Sequence, residues 1–182
     1  MRTISASFFV TAVFLAFALP GRDASGSNAQ PLRSGDAFPQ FSGRTLAGKS
    51  VMLPNDAAGR PVALVFSFSR KAAGDAHLWS DSLSRDAANP TAYYGVILLE
   101  SAPKMFQKLA VAGMRSVLPA SAQQRTIVLL RGEELWRRRL GASYVSRAYV
   151  LLLGPHGEIR WRNSGPFSGA EFARLKAAAS KP

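Results

Sequence analysis

The chain has 182 residues, of which 47% are hydrophobic and 19% are charged, so it is long enough for one domain with its own core and is not disordered by composition. It contains no cysteine, which excludes disulfides, thiolate metal sites and thiol catalysis. The formal net charge of +12 either favours an acidic partner, such as nucleic acid, anionic lipid or an acidic protein face, or only keeps the protein soluble.

Residues 1–29 have the pattern of a secretory signal peptide. One positive charge precedes an apolar run over about residues 6–19, and the small residues Ser27 and Ala29 precede the expected cleavage site. The run is too short to span a bilayer comfortably. A mitochondrial presequence is the alternative, but it should be amphipathic, whereas this run is apolar on every face. We therefore expect an exported protein, periplasmic or membrane-associated, whose mature chain begins near Gln30.

Residues 30–60 are rich in glycine and proline and are predicted to form an extension that packs on the main domain, residues 61–182. The apolar residues of this extension are spaced as short strands or a hairpin: Phe38, Phe41, Leu46, Val51, Met52 and Leu53. The sequence shows no internal repeat and no second domain boundary.

Short apolar runs in the main domain predict strands that are buried on both faces of a sheet, and amphipathic stretches between them predict helices. The predicted strands are residues 62–68, 92–99, 126–130, 148–153 and 158–162, and residues 154–157 join the last two as an antiparallel hairpin. Four helices are predicted. The first is residues 75–88, with Asp75 as its N-cap, and the second is capped by Ser101 and ends at Gly113. The third is residues 133–141, and the fourth, residues 168–179, begins with a capping box.

Three of these helices have an apolar face that we expect to be buried. The expected inward residues are Ala76, Trp79, Leu83 and Ala87 in the first helix, which Asn89-Pro90 ends, then Met105, Leu109 and Ala112 in the second, and Phe172, Leu175 and Ala179 in the last. Residues 114–124, with Pro119 in the middle, are ambiguous.

The turn after the first core strand is one candidate site. Ser69, Arg70 and Lys71 lie at the carboxyl end of that strand, where α/β sheets usually carry their chemistry, and the two cations could hold an anion or a carboxylate. Ser69 is more often a turn or cap residue than a nucleophile, because neither histidine, His77 or His156, is well placed as its base. Nothing supplies a third metal ligand near either histidine, so no metal and no cofactor are expected.

A second candidate site is Arg160-Trp161-Arg162. In an alternating strand the two arginines share one face, and Trp161 shares the other with Ile159. A buried tryptophan with solvated arginines would be structural, whereas an exposed tryptophan between arginines would be typical of a protein-binding surface. The sequence does not distinguish between the structural and the protein-binding role. It contains no nucleic-acid-binding motif, so no nucleic acid partner is expected, and it does not indicate an oligomeric state.

The order of predicted elements resembles the thioredoxin-like fold in its redoxin form, an α/β fold of three layers with a central mixed β-sheet flanked by helices. Four local motifs agree with that resemblance: residues 35–41 (GDAFPQF), 46–51 (LAGKSV), 59–62 (GRPV) and the stretch 145–161 that leads into the last hairpin. Within the superfamily the chain is most similar to the thioredoxin-like assembly-factor family of mitochondrial F-type ATP synthase. The residues that carry this similarity are 66–69 followed by Trp79, 132–135, 148–152 and 158–165.

The resemblance implies a non-catalytic protein that acts by binding another protein, as an assembly or chaperone-like factor for a membrane complex such as ATP synthase. Redoxins carry a nucleophilic cysteine near residues 69–75, with a pair expected at Ala72 and Asp75, and a cis-proline where this chain has Ser146-Arg147-Ala148. Both are absent. The alternatives are a redoxin-type oxidoreductase or peroxidase relative that uses a non-thiol route, and a small-anion-binding module at residues 69–75.

Overall fold

The computed structural model describes residues 30–57, 59–86 and 91–181. The predicted leader, residues 1–29, and the predicted end of the first helix at Ala87 and Asn89-Pro90 lie outside the described residues. A five-stranded sheet forms the centre of the fold, with the strand order β5-β4-β3-β6-β7. Its strands are β3 (Val62–Ser67), β4 (Ala92–Leu98), β5 (Thr126–Leu129), β6 (Tyr149–Leu153) and β7 (Ile159–Ser164).

Strand β3 lies in the middle of this sheet, and all six of its residues are buried. It pairs in parallel with β4 and antiparallel with β6, so the sheet is mixed. Strands β4 and β5 are parallel, and β6 and β7 form the predicted antiparallel hairpin. Continuous apolar runs such as residues 62–68 form strands of this kind because both faces of a central strand are covered.

Helices cover both faces of the sheet. The helices are α1 (Arg70–Arg85), α2 (Lys104–Val117), α3 (Ala120–Gln123), α4 (Glu133–Leu140) and α5 (Gly169–Ala179). Trp79 of α1 and Leu175 of α5 are buried in one core cluster, and Trp136 of α4 is buried in a second cluster on the opposite face. The predicted three-layer architecture is therefore confirmed.

A two-stranded antiparallel hairpin, β1 (Phe41–Arg44) and β2 (Ser50–Leu53), packs on the face that carries α4. It forms the hairpin that was predicted in the extension, and of its large apolar residues only Met52 is exposed. Gly43 allows the hairpin to approach β5 closely, because a Cβ added there would lie 2.5 Å from Cγ2 of the buried Ile127.

Backbone of the same N-terminal stretch meets both outer strands of the central sheet. The Gly35 amide donates to the Ile159 carbonyl of β7 (2.8 Å), and the Leu46 amide donates to the Thr126 carbonyl of β5 (2.8 Å). The chain thus crosses beneath the sheet from one edge strand to the other before it enters β3.

Helix α1 begins five residues earlier than predicted, so the assignment of Asp75 as its N-cap is wrong. Ser69 is the N-cap: its backbone is extended (φ −153°) and its Oγ accepts from the Ala72 amide at 3.2 Å. A serine hydroxyl in this position satisfies an amide that the first turn of a helix leaves unpaired. Asp75 lies within the second turn.

Helix α2 differs most from its prediction. It continues through Gly113 to Val117 and ends where Leu118, in extended conformation (ψ 135°), precedes Pro119, because a residue before proline disfavours helical backbone. The apolar residues Met105 and Leu109, expected to point inward, are exposed, and no residue of α2 is buried.

Polar side chains explain which side of α2 faces the protein. Gln107 Nε2 donates to the carbonyls of Leu99 (3.0 Å) and Ala102 (2.9 Å), and Arg115 Nε donates to the carbonyl of Leu46 (3.0 Å). These bonds satisfy carbonyls of the neighbouring loops. With the half-buried Ala110, Val111 and Met114 they set the side of α2 that faces the protein, so the stripe that contains Met105 and Leu109 faces outward.

Candidate functional site

The turn after β3 is built around the hydroxyl of Ser69. Its Oγ donates to the Val145 carbonyl at 2.8 Å while it accepts from the Ala72 amide at 3.2 Å. One side chain therefore connects the first turn of α1 to the loop before β6. Because the hydroxyl proton points at a backbone carbonyl, this arrangement is that of a helix cap and not that of an activated nucleophile.

The loop before β6 replaces the cis-proline segment of redoxins and is closed by its own contacts. The Tyr149 hydroxyl accepts from the Tyr144 amide (3.2 Å) and donates to the Tyr144 carbonyl (3.1 Å). The guanidinium carbon of Arg147 lies 4.4 Å from the centroid of the Tyr144 ring. No peptide bond in this loop is cis.

These two segments form one surface at the N-terminal end of α1, which we call the α1 patch. Its residues are Ser69, Arg70, Lys71, Tyr144, Val145 and Arg147. All except the half-buried Ser69 are exposed. Exposed tyrosine and arginine side chains are the types that contribute most to protein–protein binding, so the patch has the composition of a protein-binding surface.

The part of the α1 patch that follows β3 was predicted from the sequence, and the part in the loop before β6 was not. Ser69, Arg70 and Lys71 were predicted from their place after the first core strand, and the structure brings them together at one end of α1. Tyr144 and Val145 were not predicted. The sequence did contain one indication of this second part, the departure from the redoxin pattern at residues 146–148. In a redoxin that segment faces the N-terminal end of the helix that corresponds to α1.

The strand β7 places Trp161 against the core. The ring is half-buried and lies 5.8 Å from the Trp79 ring, centroid to centroid. Ile159 is buried in the other core cluster, so the prediction that Ile159 and Trp161 share a face is wrong. The reason is a register shift between Leu152 and Leu153 of β6, which interrupts the alternation of side chains along β7.

Both arginines of β7 bond other parts of the chain. A purely structural role for the Arg160-Trp161-Arg162 segment had predicted that they would be solvated. Arg160 bonds Glu158 (Nε to Oε1, 2.6 Å) and the Lys181 carbonyl, and Arg162 donates to the carbonyls of Leu32 and Leu140. Each arginine therefore connects β7 to a segment that is distant in sequence.

The ion pair between Glu158 and Arg160 changes the acidity of the carboxyl group. Burial by itself raises the pKa of Glu158, but the hydrogen bond from Arg160, the backbone amides and the Arg160 charge hold that pKa below its ordinary value. The carboxylate therefore stays ionised at neutral pH, as the partner of Arg160.

Replacement of Arg162 by alanine should lower the free energy of unfolding by about 2–3 kcal/mol, because it leaves two carbonyls without a charged donor. Denaturant unfolding measures the change. Arg174→Ala is the control: that side chain is 70% exposed on α5, and its loss should cost less than about 0.5 kcal/mol. Equal stability of the two variants would show that Arg162 has no structural role and would make it a stronger candidate for binding.

The described residues contain no cluster of three or more histidine, cysteine, aspartate or glutamate side chains that could hold a metal ion. His77 and His156 are both exposed, on α1 and in the β6–β7 turn. None of the helices in residues 30–57, 59–86 and 91–181 is long and apolar enough to cross a membrane.

The model of the ATP10 protein family matches residues 32–181. The chain belongs to the ATP10 protein family. That match covers both halves of the α1 patch, the whole of β7 and the N-terminal stretch that crosses beneath the sheet. Among curated proteins, no sequence matches this ATP10 family member.

Solved structures similar to this ATP10 family member have the thioredoxin-like fold. The thioredoxin domain of a thiol-disulfide oxidoreductase from Bacteroides vulgatus is 18% identical, with 82% of this chain and 99% of that chain covered and a TM-score of 0.55. The exposed lipoprotein thioredoxin Etrx1 of Streptococcus pneumoniae is 16% identical (76% and 99% covered, TM-score 0.58). BsSco, of the Sco family of cytochrome c oxidase assembly proteins, is 15% identical (85% and 99% covered, TM-score 0.55). The predicted fold and family are both confirmed.

Proposed function

We propose that this ATP10 family member is a non-catalytic assembly factor for ATP synthase that acts by binding a protein partner. The observation that carries the proposal is the family match over residues 32–181, which spans nearly all of the described fold. The partner that this role requires is a subunit of the membrane sector, held until it joins the complex.

The chemistry at the N-terminal end of α1 supports binding over catalysis. The chain has no cysteine, and the position next to the first helical turn holds a serine whose hydroxyl bonds two backbone groups. A thiol oxidoreductase works through a thiolate, which these residues do not supply. The fold keeps the redoxin framework around this position while its side chains serve as a cap and a surface.

The α1 patch is the surface that we assign to the partner. Arg70, Lys71 and Arg147 give it three exposed cations, and Tyr144 gives it an exposed ring. A partner segment with carboxylates beside an apolar side chain would pair with both kinds of group. No acidic residue belongs to the patch itself, so an acidic segment would meet no like charge within it.

Family membership also bears on where the protein works. An assembly factor must share a compartment with the unassembled subunit, and the family match is consistent with the mitochondrial alternative for residues 1–29. Under this proposal the leader is a presequence, and the mature chain lies on the side of the membrane where the subunit is held.

In a host strain that lacks this gene, the wild-type chain should restore assembled ATP synthase, measured on native gels. A variant of the α1 patch, Arg70→Glu with Lys71→Glu and Tyr144→Ala, should restore far less, because loss of hot-spot contacts lowers partner affinity by roughly tenfold or more. The control reverses two exposed charges elsewhere, Arg33→Glu with Arg44→Glu, and should restore assembly fully.

Two results would contradict the proposal in different ways. Failure of the wild-type chain to restore the synthase would reject the assembly role. Full restoration by the patch variant, with normal amounts of protein in the cell, would place the partner on another surface.

A further inference from the structure

Helix α2 carries an apolar face that no described part of the chain covers. Its large side chains Met105, Phe106, Leu109 and Val117 are 73%, 54%, 67% and 77% exposed. At the spacing of an α-helix these four positions fall within about one third of the circumference, so they form a single stripe, which we call the α2 face. The opposite side of the helix is held to the protein by Gln107 and Arg115.

Cations lie along one flank of the α2 face. Lys104, Lys108 and Arg115 follow one another at i, i+4 and i+11, beside the apolar stripe. With Arg131 and Glu100 they line a groove of about 880 Å³ between α2 and the ends of β4 and β5. The Glu100 carboxylate is paired with the Glu133 amide (2.7 Å) at the start of α4. Residues 101–132 contain five cations (Lys104, Lys108, Arg115, Arg125 and Arg131) and no acidic residue.

We propose that α2 docks on an anionic lipid bilayer, with the α2 face in the acyl boundary and the cationic groove at the headgroup phosphates. A helix with a continuous apolar face and lysine or arginine beside it binds in the plane of such an interface, through buried apolar area and attraction to anionic lipid together. The charge of the surrounding stretch complements that surface. This inference does not rest on the proposed function, since lipid binding requires no synthase subunit.

Two other occupants fit the α2 face less well. A second copy of the chain would bring the cations of one α2 flank near those of the other, with no acidic residue in residues 101–132 to offset their repulsion. As for the segment before residue 30, the described chain that follows it begins beside α4, where the Leu32 amide bonds the Arg139 carbonyl (2.7 Å) and the Leu32 carbonyl accepts from Arg162 of β7. Strand β7 is the opposite edge of the sheet from β5, which borders α2.

Flotation with phosphatidylcholine vesicles, with and without phosphatidylglycerol, tests the proposal on the full chain. The wild-type chain should bind the vesicles that contain phosphatidylglycerol, and Leu109→Glu should weaken that binding on the order of tenfold. Leu78→Glu is the matched control, because Leu78 is also a helical leucine, 47% exposed on α1, and its replacement should leave binding unchanged. Residues 1–29 are the same in every variant, so a difference in binding between two variants does not come from them.

Removal of two cations tests the groove. Lys104→Gln with Lys108→Gln should weaken binding by roughly 25-fold, since each basic side chain near an anionic bilayer contributes roughly a factor of five. Arg33→Gln with Arg44→Gln removes the same charge from exposed positions elsewhere and should change binding little. Added salt should weaken binding of the wild-type chain.

A fluorescent label locates the contact. Because the chain has no cysteine, Met105→Cys and Leu78→Cys can each be labelled at one position with an environment-sensitive dye. Only the label at position 105 should shift to shorter wavelength on vesicles that contain phosphatidylglycerol.

Any of three results would overturn the proposal. The first is equal binding by Leu109→Glu and Leu78→Glu. The second is binding that does not depend on phosphatidylglycerol. The third is a dimer of the wild-type chain, seen by light scattering without vesicles, that Leu109→Glu dissociates, which would show that a second copy covers the α2 face.

Discussion

Replacement of Trp79 by alanine should lower the free energy of unfolding by about 3–5 kcal/mol, the cost of truncating a large buried aromatic side chain. Trp79 is 0% exposed and lies at the centre of an aromatic cluster between α1, β7 and α5. Its ring centroid lies 5.8 Å from that of Trp161, 5.2 Å from that of Phe167 and 6.3 Å from that of Phe172. The truncation would leave a cavity that these three rings cannot fill without moving.

The neighbouring residue supplies the control for this prediction. Leu78 points about 100° away from Trp79 around α1 and is 47% exposed, so Leu78→Ala should change the free energy of unfolding by less than about 1 kcal/mol. Denaturant unfolding, followed by circular dichroism so that the lost fluorophore does not matter, measures both variants. A loss below about 1 kcal/mol for Trp79→Ala would show that the ring contributes little to the core.

The second large effect concerns the absent redox chemistry. The sequence predicted that a redoxin cysteine pair would lie at Ala72 and Asp75, but α1 begins at Arg70. A reactive pair with two residues between its members belongs at the N-terminus of a helix, so the structure moves it to Ser69 and Ala72. The variant Ser69→Cys with Ala72→Cys should fold and form a disulfide, because the two side chains lie in the same first turn.

This cysteine pair should nevertheless reduce insulin at least about 100-fold more slowly than a thioredoxin control, because misplacement of a substrate by about 1 Å can cost that much. The loop that would hold the substrate is bonded to itself through Tyr144 and Tyr149 and has no proline. Ser69→Cys alone supplies the background rate. Turnover comparable to thioredoxin would show that the redox site is intact apart from its cysteines, and the non-catalytic interpretation would have to be withdrawn.

Much of the fold could be predicted because the central strands are buried on both faces. Residues 62–68 and 148–153 are nearly continuous apolar runs, and such a run indicates a strand without knowledge of its neighbours. The start of α1 was missed although its cap is local, since the Ser69 hydroxyl accepts from the Ala72 amide three residues along; only the second bond of that hydroxyl, to Val145, is distant in sequence. The exposed side of α2 was missed because a distant contact helps to orient the helix: Arg115 bonds the Leu46 carbonyl, 69 residues away.

In the candidate site, too, local features could be predicted and contacts between distant residues could not. Ser69, Arg70 and Lys71 could be predicted because they follow a recognisable strand, and the end of such a strand is a favoured position for function. Their approach to Tyr144 and Val145 is a tertiary contact that no local pattern records. The contacts of Arg160 and Arg162 follow a register shift between β6 and β7, which leaves Arg160 without a partner residue in β6, and an alternating pattern read from sequence does not include such a shift.

The N-terminal stretch that crosses beneath the sheet has a consequence for how this protein can recognise others. A sheet with an open edge strand can accept an extended peptide as a further strand, and it can also pair with another copy and aggregate. Here the backbone around Gly35 meets β7, and Leu46 meets β5, so backbone of the same chain already bonds both edge strands. Recognition by strand addition would first require this stretch to detach. Under the proposed function, a partner would therefore meet the side chains of the helices and loops, where a change of one residue can alter specificity without disturbing the sheet.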